Sequence, residues 1–302
     1  MSAKPAQRGR APLGGRVWIV AHRGASWDAP EHTTASYDRA VADGTDFLET
    51  DLWQAADGTL VCIHDPTVDR TSNGVGPVAG RSVEELRALD FGSWFNAAFS
   101  DRARPEFAGA SVVLFEEMLQ RYRDIEPPLR FHVETKHPYL LGQEAGAIDP
   151  AMEHELVRVL GAHELIPLER SAGPERPSER SAGRVVIQSF WPRSLEVVGE
   201  LSGGVLPTAL LSVGPGPDPL PGAVDIAAPN HVALLADLDY VDRMHQQGKE
   251  VHTWTVDDPD VMRTLVTAGV DGIFTNRPGV LRRLLETEFP QWAGFPQWAR
   301  FP

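Results

Sequence analysis

The stretch between residues 47 and 64 constrains the fold more than any other. The apolar pair Phe47-Leu48 passes into Glu49-Thr50-Asp51, and a second apolar run, Leu60-Val61-Cys62-Ile63, begins after only eight intervening residues. A parallel crossover needs about a dozen residues or more, so these two runs cannot be parallel neighbours. The gap contains Asp57-Gly58, a strong hairpin-turn pair. The second run therefore returns antiparallel to the first. It carries His64-Asp65 back towards Glu49 and Asp51.

Elsewhere strand-like and helix-like runs alternate, the pattern of a parallel α/β fold. Strand candidates are 17–21, 47–51, 60–64, 129–133, 184–190, 205–212, 224–228, 250–256 and 270–275. Thr33-Thr34 caps a helix through Ala42 that ends near Gly44, and further helices fit 114–123, 151–161, 193–201, 237–247, 258–268 and 278–286. Pro192, Pro259 and Pro278 stand where a first helical turn begins, the position at which proline is tolerated. Nine strands less the hairpin arm leave eight parallel ones, the count of a TIM (β/α)₈ barrel.

The barrel is expected over 17–287, with a small inserted subdomain at about 66–110, after the His64-Asp65 hairpin. That insertion lacks the α/β alternation and holds Phe91, Trp94, Phe95 and Phe99, which fit either a substrate channel or a local core. Residues 1–16, with Lys4, Arg8, Arg10 and Arg16 and no acid, read as a disordered basic tail. Segments 169–183, with Glu-Arg-Ser-Ala-Gly at both ends, and 213–222, rich in Gly and Pro, read as surface insertions. Residues 288–302 form a Trp-containing tail in which Phe-Pro-Gln-Trp-Ala occurs twice, at 289–293 and 295–299. That tail fits an interaction segment or a strap on the barrel's own helices.

A net charge of −14 argues against a nucleic-acid binder and against a protein that coats anionic membranes by charge alone. No run approaches a membrane-spanning length, and none resembles a secretion signal. Cys62 is the only cysteine, so no intrachain disulfide forms and a cytoplasmic location is expected. Inside its strand Cys62 reads as a small apolar residue, not a nucleophile.

Active sites of parallel barrels gather at the C-terminal ends of the strands. There the first strand runs into His22-Arg23-Gly24, the second into Glu49-Thr50-Asp51 and the fourth into Glu134-Thr135-Lys136. Side chains alternate along a strand, so Glu49 and Asp51 share one face, as do Glu134 and Lys136. Glu49, Asp51 and Glu134 are hard oxygen donors suited to one divalent cation, Mg²⁺ or Ca²⁺. His22 and His64, on converging segments, fit a general acid and base. Such a set suits metal-assisted attack on a phosphate ester. Gln188 and Trp254 end later strands on the same side.

His22-Arg23-Gly24, Pro30-Glu31-x-Thr33, Glu49-x-Asp51, His64-Asp65 and Glu134-x-Lys136 resemble the motifs of the glycerophosphodiester phosphodiesterases. So does Gly269-Val270-Asp271-Gly272-Ile273-Phe274-Thr275-Asn276-x-Pro278, and the resemblance runs from about residue 17 to 287. It implies a TIM barrel with a small insertion after the His-Asp motif. It further implies that Glu49, Asp51 and Glu134 bind the metal and that His22 and His64 are catalytic. Arg23 and Lys136 would hold phosphate oxygens, Glu31 would support the metal or the first loop, and Trp254 would face the alcohol. His32 departs from the family, which commonly has Asn there.

The expected reaction is metal-dependent hydrolysis of a small-molecule glycerophosphodiester to glycerol 3-phosphate and an alcohol. The attacking oxygen is that of water or of a neighbouring substrate hydroxyl. A lysophospholipase D or sphingomyelinase D type of reaction on lipids is the alternative, with Trp94, Phe95 and Phe99 as the visible apolar candidates. A non-catalytic phosphate-binding module is a more distant one. No integral membrane association is expected, and oligomeric state is not legible.

Overall fold

A computed structural model describes residues 9–126, 128–137, 148–167 and 184–294. Nine strands form one sheet: β1 (Trp18–Ala21), β2 (Phe47–Gln54), β3 (Leu60–Cys62), β4 (Arg130–Thr135), β5 (Val185–Ser189), β6 (Thr208–Ser212), β7 (Ile226–Pro229), β8 (Glu250–Thr253) and β9 (Gly272–Thr275). Eight of them pair in parallel in the order β1-β9-β8-β7-β6-β5-β4-β2, and β1 pairs again with β2, which closes the barrel. β3 lies antiparallel on β2 with Leu52 opposite Cys62 and Gln54 opposite Leu60. The hairpin read from the short gap is thus present, and Cys62 N–H at its far side donates to the Val113 carbonyl at 2.9 Å.

Alternation along the strands divides the core into two layers. Trp18, Val20, Phe47, Val186, Ala209, Leu211, Ile226, Ala228 and Phe274 fill the barrel interior. Ile19, Leu48, Phe131, Val133, Ile187, Val251 and Ile273 face outwards and pack beneath the helices. Barrel helices are α1 (Thr34–Ala42), α4 (Phe115–Tyr122), α5 (Ala151–Ala162), α6 (Pro192–Leu201), α7 (His231–Ala236), α8 (Asp239–Gln246), α9 (Pro259–Ala268) and α10 (Pro278–Glu288). Thr33 caps α1 by accepting from Ser36 N–H, as its sequence suggests. The helix expected at 237–247 is preceded by a separate one, α7, because Asn230 caps a turn there that ends at the extended Asp237. No helix among the described residues is long and apolar enough to cross a membrane.

The insertion carries the short helices α2 (Val83–Arg87) and α3 (Ser93–Ala98). Phe95 and Phe107 pack on Ala29 with Trp94 and Phe99 at their edges, so these aromatics form a local core. Cys62 is buried, and burial pushes its thiol up to about 12, consistent with an inert strand residue.

The described residues at both chain ends lie on the barrel, which shortens the expected N-terminal tail and matches one of the two readings of the C-terminal segment. Residues 9–16 are held on the barrel: Arg10 pairs with Asp239 at 2.7 Å, Leu13 N–H donates to Asp271 at 2.6 Å, and Arg16 pairs with Asp46 at 2.6 Å. Basic side chains there find carboxylates at the barrel's N-terminal pole, and only residues 1–8 of the expected disordered tail lie outside the described residues. The first Phe-Pro-Gln-Trp-Ala copy packs on the barrel too. Trp292 stacks on Phe289, and Arg282 donates to the carbonyl of Ala293 at 2.7 Å. The second copy, and segment 169–183, lie outside the described residues.

Candidate active site

The first β–α loop is shaped by backbone that side chains rarely adopt. Arg23 and Gly24 are left-handed, with φ of 58° and 82°, and a Cβ on Gly24 would stand 2.6 Å from Ser36 Oγ. The turn aims Arg23 N–H at Glu49 Oε2, 2.7 Å away. Its guanidinium donates to Glu31 Oε1 at 3.0 Å and lies 3.2 Å from Asp51 Oδ2.

The register of β2 and β4 places Asp51 beside Glu134. Oxygens of Glu49, Asp51 and Glu134, all buried, lie within 4.8 Å of one another and could hold a metal ion. Burial and the charge of Asp51 push Glu134 up to about 8 and drive Glu49 well above the ordinary carboxylate range. Burial would raise Asp51 too, but Lys136, Arg23 and His32 outweigh it and hold Asp51 well below that range. Lys136 reaches Glu134 at 2.6 Å and Asp51 at 3.1 Å. Three crowded carboxyl groups, two of them held back from ionising, present hard oxygens that fit a divalent cation.

His22 is fixed from behind. Asn276 Nδ2 donates to Asp257 Oδ2 at 2.6 Å, which orients the amide so that its Oδ1 faces His22 Nδ1 at 2.7 Å. That oxygen only accepts, so Nδ1 carries the proton and Nε2 keeps its lone pair. Burial and the adjacent Arg23 push the ring down to about 3. His64 has a different partner: its Nδ1 donates to the Asp65 carboxylate at 2.6 Å. Burial lowers His64 as well, while Asp51 and Asp65 favour its protonated form.

A cavity of about 90 Å³ opens at the C-terminal mouth of the barrel. His22, Arg23, Glu49, His64, Glu134, Lys136, Gln188 and Trp254 line it, with Phe190, Leu211 and Phe274 supplying an apolar wall. Gln188 Nε2 donates to Glu49 Oε1 at 3.0 Å, and Trp254 is anchored by its indole N–H on the Ala228 carbonyl at 2.8 Å. Glu31 does not line the cavity; it stands behind Arg23. Trp94, Phe95 and Phe99 do not line it either.

Residues 22–280 match the model of the glycerophosphoryl diester phosphodiesterase family. The chain belongs to that family. A glycerophosphodiester phosphodiesterase of Bacillus subtilis is 33% identical over 276 residues, covering 89% of this chain and 86% of its own. A probable glycerophosphodiester phosphodiesterase 1 of Mycobacterium tuberculosis is 32% identical, covering 91% and 94%. Among solved structures, a putative glycerophosphoryl diester phosphodiesterase from Silicibacter pomeroyi superposes with a TM-score of 0.74 at 25% identity, covering 92% and 95%. An Oleispira antarctica phosphodiesterase in complex with the product sn-glycerol-3-phosphate gives 0.70 at 20% identity, covering 92% and 100%, and speaks for the fold. The chain is an enzyme, a phosphodiesterase of the glycerophosphodiester class.

Several residues around the cavity were not singled out by the sequence. His32, noted only as a departure, is buried with a φ of 57° and donates from Nε2 to Asp51 Oδ2 at 2.9 Å, so it holds a candidate ligand in place. Asn276 was legible only as part of the last motif. Asp65 had a local signal, its adjacency to His64. Asp257, Phe190 and Leu211 had none, since their roles arise from the closing of the barrel.

Proposed function

We propose that this family member hydrolyses small soluble glycerophosphodiesters to glycerol 3-phosphate and an alcohol at the β-strand C-terminal mouth. The observation that carries this is the convergence of two histidines, two cations and the carboxylates of Glu49 and Glu134 on one 90 Å³ cavity, with Asp51 completing the acidic cluster beside it. Glu49, Asp51 and Glu134 would hold Mg²⁺ or Ca²⁺, which when bound supplies positive charge to the phosphate oxygens. Arg23 and Lys136 orient the phosphate and offset the charge that grows in the five-coordinate transition state.

The two histidines are inequivalent, which supports distinct roles. His22, neutral with Nε2 bare and an uncharged amide behind it, accepts the proton of the attacking oxygen. His64, whose Nδ1–H meets a carboxylate, is the better imidazolium and donates its Nε2 proton to the leaving alkoxide. Trp254, Phe190 and Leu211 supply apolar lining to the same cavity and suit the alcohol carbons. A lipid substrate finds less support, since the aromatics expected to form an apolar groove are spent on a separate core.

The test is a panel of glycerophosphocholine, glycerophosphoethanolamine, glycerophosphoglycerol and a lysophospholipid, each with and without chelator. Release of glycerol 3-phosphate from the soluble diesters, suppressed by chelation, is expected. Turnover of the lysophospholipid alone, or full turnover in excess chelator after dialysis, refutes the reading.

A further inference from the structure

Arg70 lies in the inserted segment, outside the cavity lining, yet its guanidinium bridges two carboxylates that serve the site. Nε donates to Asp65 Oδ2 at 2.7 Å, while Nη1 and Nη2 donate to Glu31 Oε2 and Oε1 at 2.8 and 2.7 Å. Each carboxylate has a second partner in the cavity wall. Asp65 accepts from His64, and Glu31 accepts from Arg23. An unbroken polar chain therefore runs His64–Asp65–Arg70–Glu31–Arg23 and ends 3.2 Å from Asp51.

The planar fork meets Glu31 with two parallel donors and Asp65 with a third; an ammonium can touch two carboxylates but holds neither in a bidentate, fixed geometry. The side chain of Arg70 is 42% exposed, whereas that of Glu31 is 12% exposed. An ion pair with so exposed a cation contributes little to stability, so its geometry calls for another reason. We infer that Arg70 is a positioning residue: through Asp65 and Glu31 it fixes the separation of His64 and Arg23 across the cavity. The inserted segment thereby sets the proton donor and the phosphate-holding arginine as one unit. This rests on the roles proposed above for those two residues.

Charge supplies a signature that packing alone does not have. His64 is faced by Asp51 and Asp65, which favour its protonated form, and by Arg23 and Lys136, which oppose it. Arg70 offsets the charge of Asp65. Removing Arg70 leaves that carboxylate uncompensated behind His64, so the imidazolium gains.

The experiment measures rate against pH on glycerophosphocholine, with saturating Mg²⁺ or Ca²⁺, for wild type, His64→Ala, Arg70→Ala and Arg70→Lys, with each thermal midpoint. Arg70→Ala is expected to lose roughly tenfold to a hundredfold in kcat, the scale of small misplacements of reacting groups. The limb that His64→Ala abolishes should move to higher pH, with the midpoint nearly unchanged. Arg70→Lys should fall between. A limb that stays in place in Arg70→Ala overturns the inference, whatever the rate. A His64→Ala enzyme as active as wild type instead overturns the acid assignment, and the inference with it.

Discussion

His22 shows how much a side chain's chemistry depends on what stands behind it. The imidazole reaches the cavity from the end of β1, and its tautomer is dictated by Asn276, whose amide is in turn dictated by Asp257. Asn276→Ala removes the acceptor that holds the proton on Nδ1, so both tautomers and several ring orientations compete. Its kcat is expected to fall by about two orders of magnitude with little change in KM, because the phosphate contacts proposed for Arg23 and Lys136 are elsewhere. Steady-state kinetics on glycerophosphocholine checks this, and a kcat within about threefold of wild type would sink it. His32 acts likewise on Asp51. His32→Ala should weaken cation binding roughly tenfold to a hundredfold, read by calorimetric titration of Mg²⁺ or Ca²⁺. At this scale the sequence exposed the polar groups that line the cavity, because they end strands in recognisable pairs. It hid the groups behind them, since residues 22 and 276 meet only when β1 pairs with β9.

At the scale of elements, the hairpin was legible because chain length is a hard limit on topology. Eight residues cannot make a crossover, so β3 had to return, and Ile63 N–H indeed donates to the Asp51 carbonyl at 3.0 Å. The role of the insertion was not legible, because aromatic composition suits a channel and a core equally. Its structure favours the core. Phe95→Ala, at a fully buried site, should cost about 3–5 kcal/mol. The ranking of head groups should stay as in wild type, and urea unfolding beside the substrate panel separates the two effects. A second elemental prediction concerns the barrel's other end. His245 donates from α8 to Asp271 at 2.8 Å, and Asp271 also accepts from the N–H groups of Leu13 and Val251. Burial of the His245 ring favours its neutral form, but Asp271 outweighs this and raises it above the ordinary 6.5. A raised folded-state value means the stabilisation is full below about pH 6.5 and is lost as pH rises through the higher value. Wild type should therefore lose stability that His245→Gln does not as pH rises above about 6.5, as equilibrium unfolding across a pH series would register.

For the whole molecule, the barrel gathers charge that no smaller element would tolerate. Its interior packs Val20, Phe47 and Ile226 around the buried His132, His252 and Glu250, and at the mouth Glu49, Asp51 and Glu134 crowd together. Spacing of two residues on neighbouring strands made these carboxylates legible; the mouth's apolar wall was not, since Phe190 and Leu211 look like ordinary core residues. Crowded like charge destabilises the ion-free fold, so a cation that binds the folded chain alone must raise the thermal midpoint. At a concentration 100 times its dissociation constant the gain is about 2.7 kcal/mol. Glu49→Gln separates charge from shape. The neutral amide oxygen still accepts Arg23 N–H, and Gln188, whose Oε1 has no partner among the described residues, turns to meet the new amide N–H₂. The ion-free midpoint of Glu49→Gln should equal or exceed that of wild type, because the cost of burying a carboxyl that Asp51 and desolvation push towards its neutral form is gone. Its rise on adding Mg²⁺ or Ca²⁺ should be much smaller than in wild type. Differential scanning calorimetry of both proteins, with chelator and with saturating ion, reads the four midpoints without reference to activity. Equal ion-induced shifts in the two proteins would show that the cation binds somewhere other than these three carboxylates.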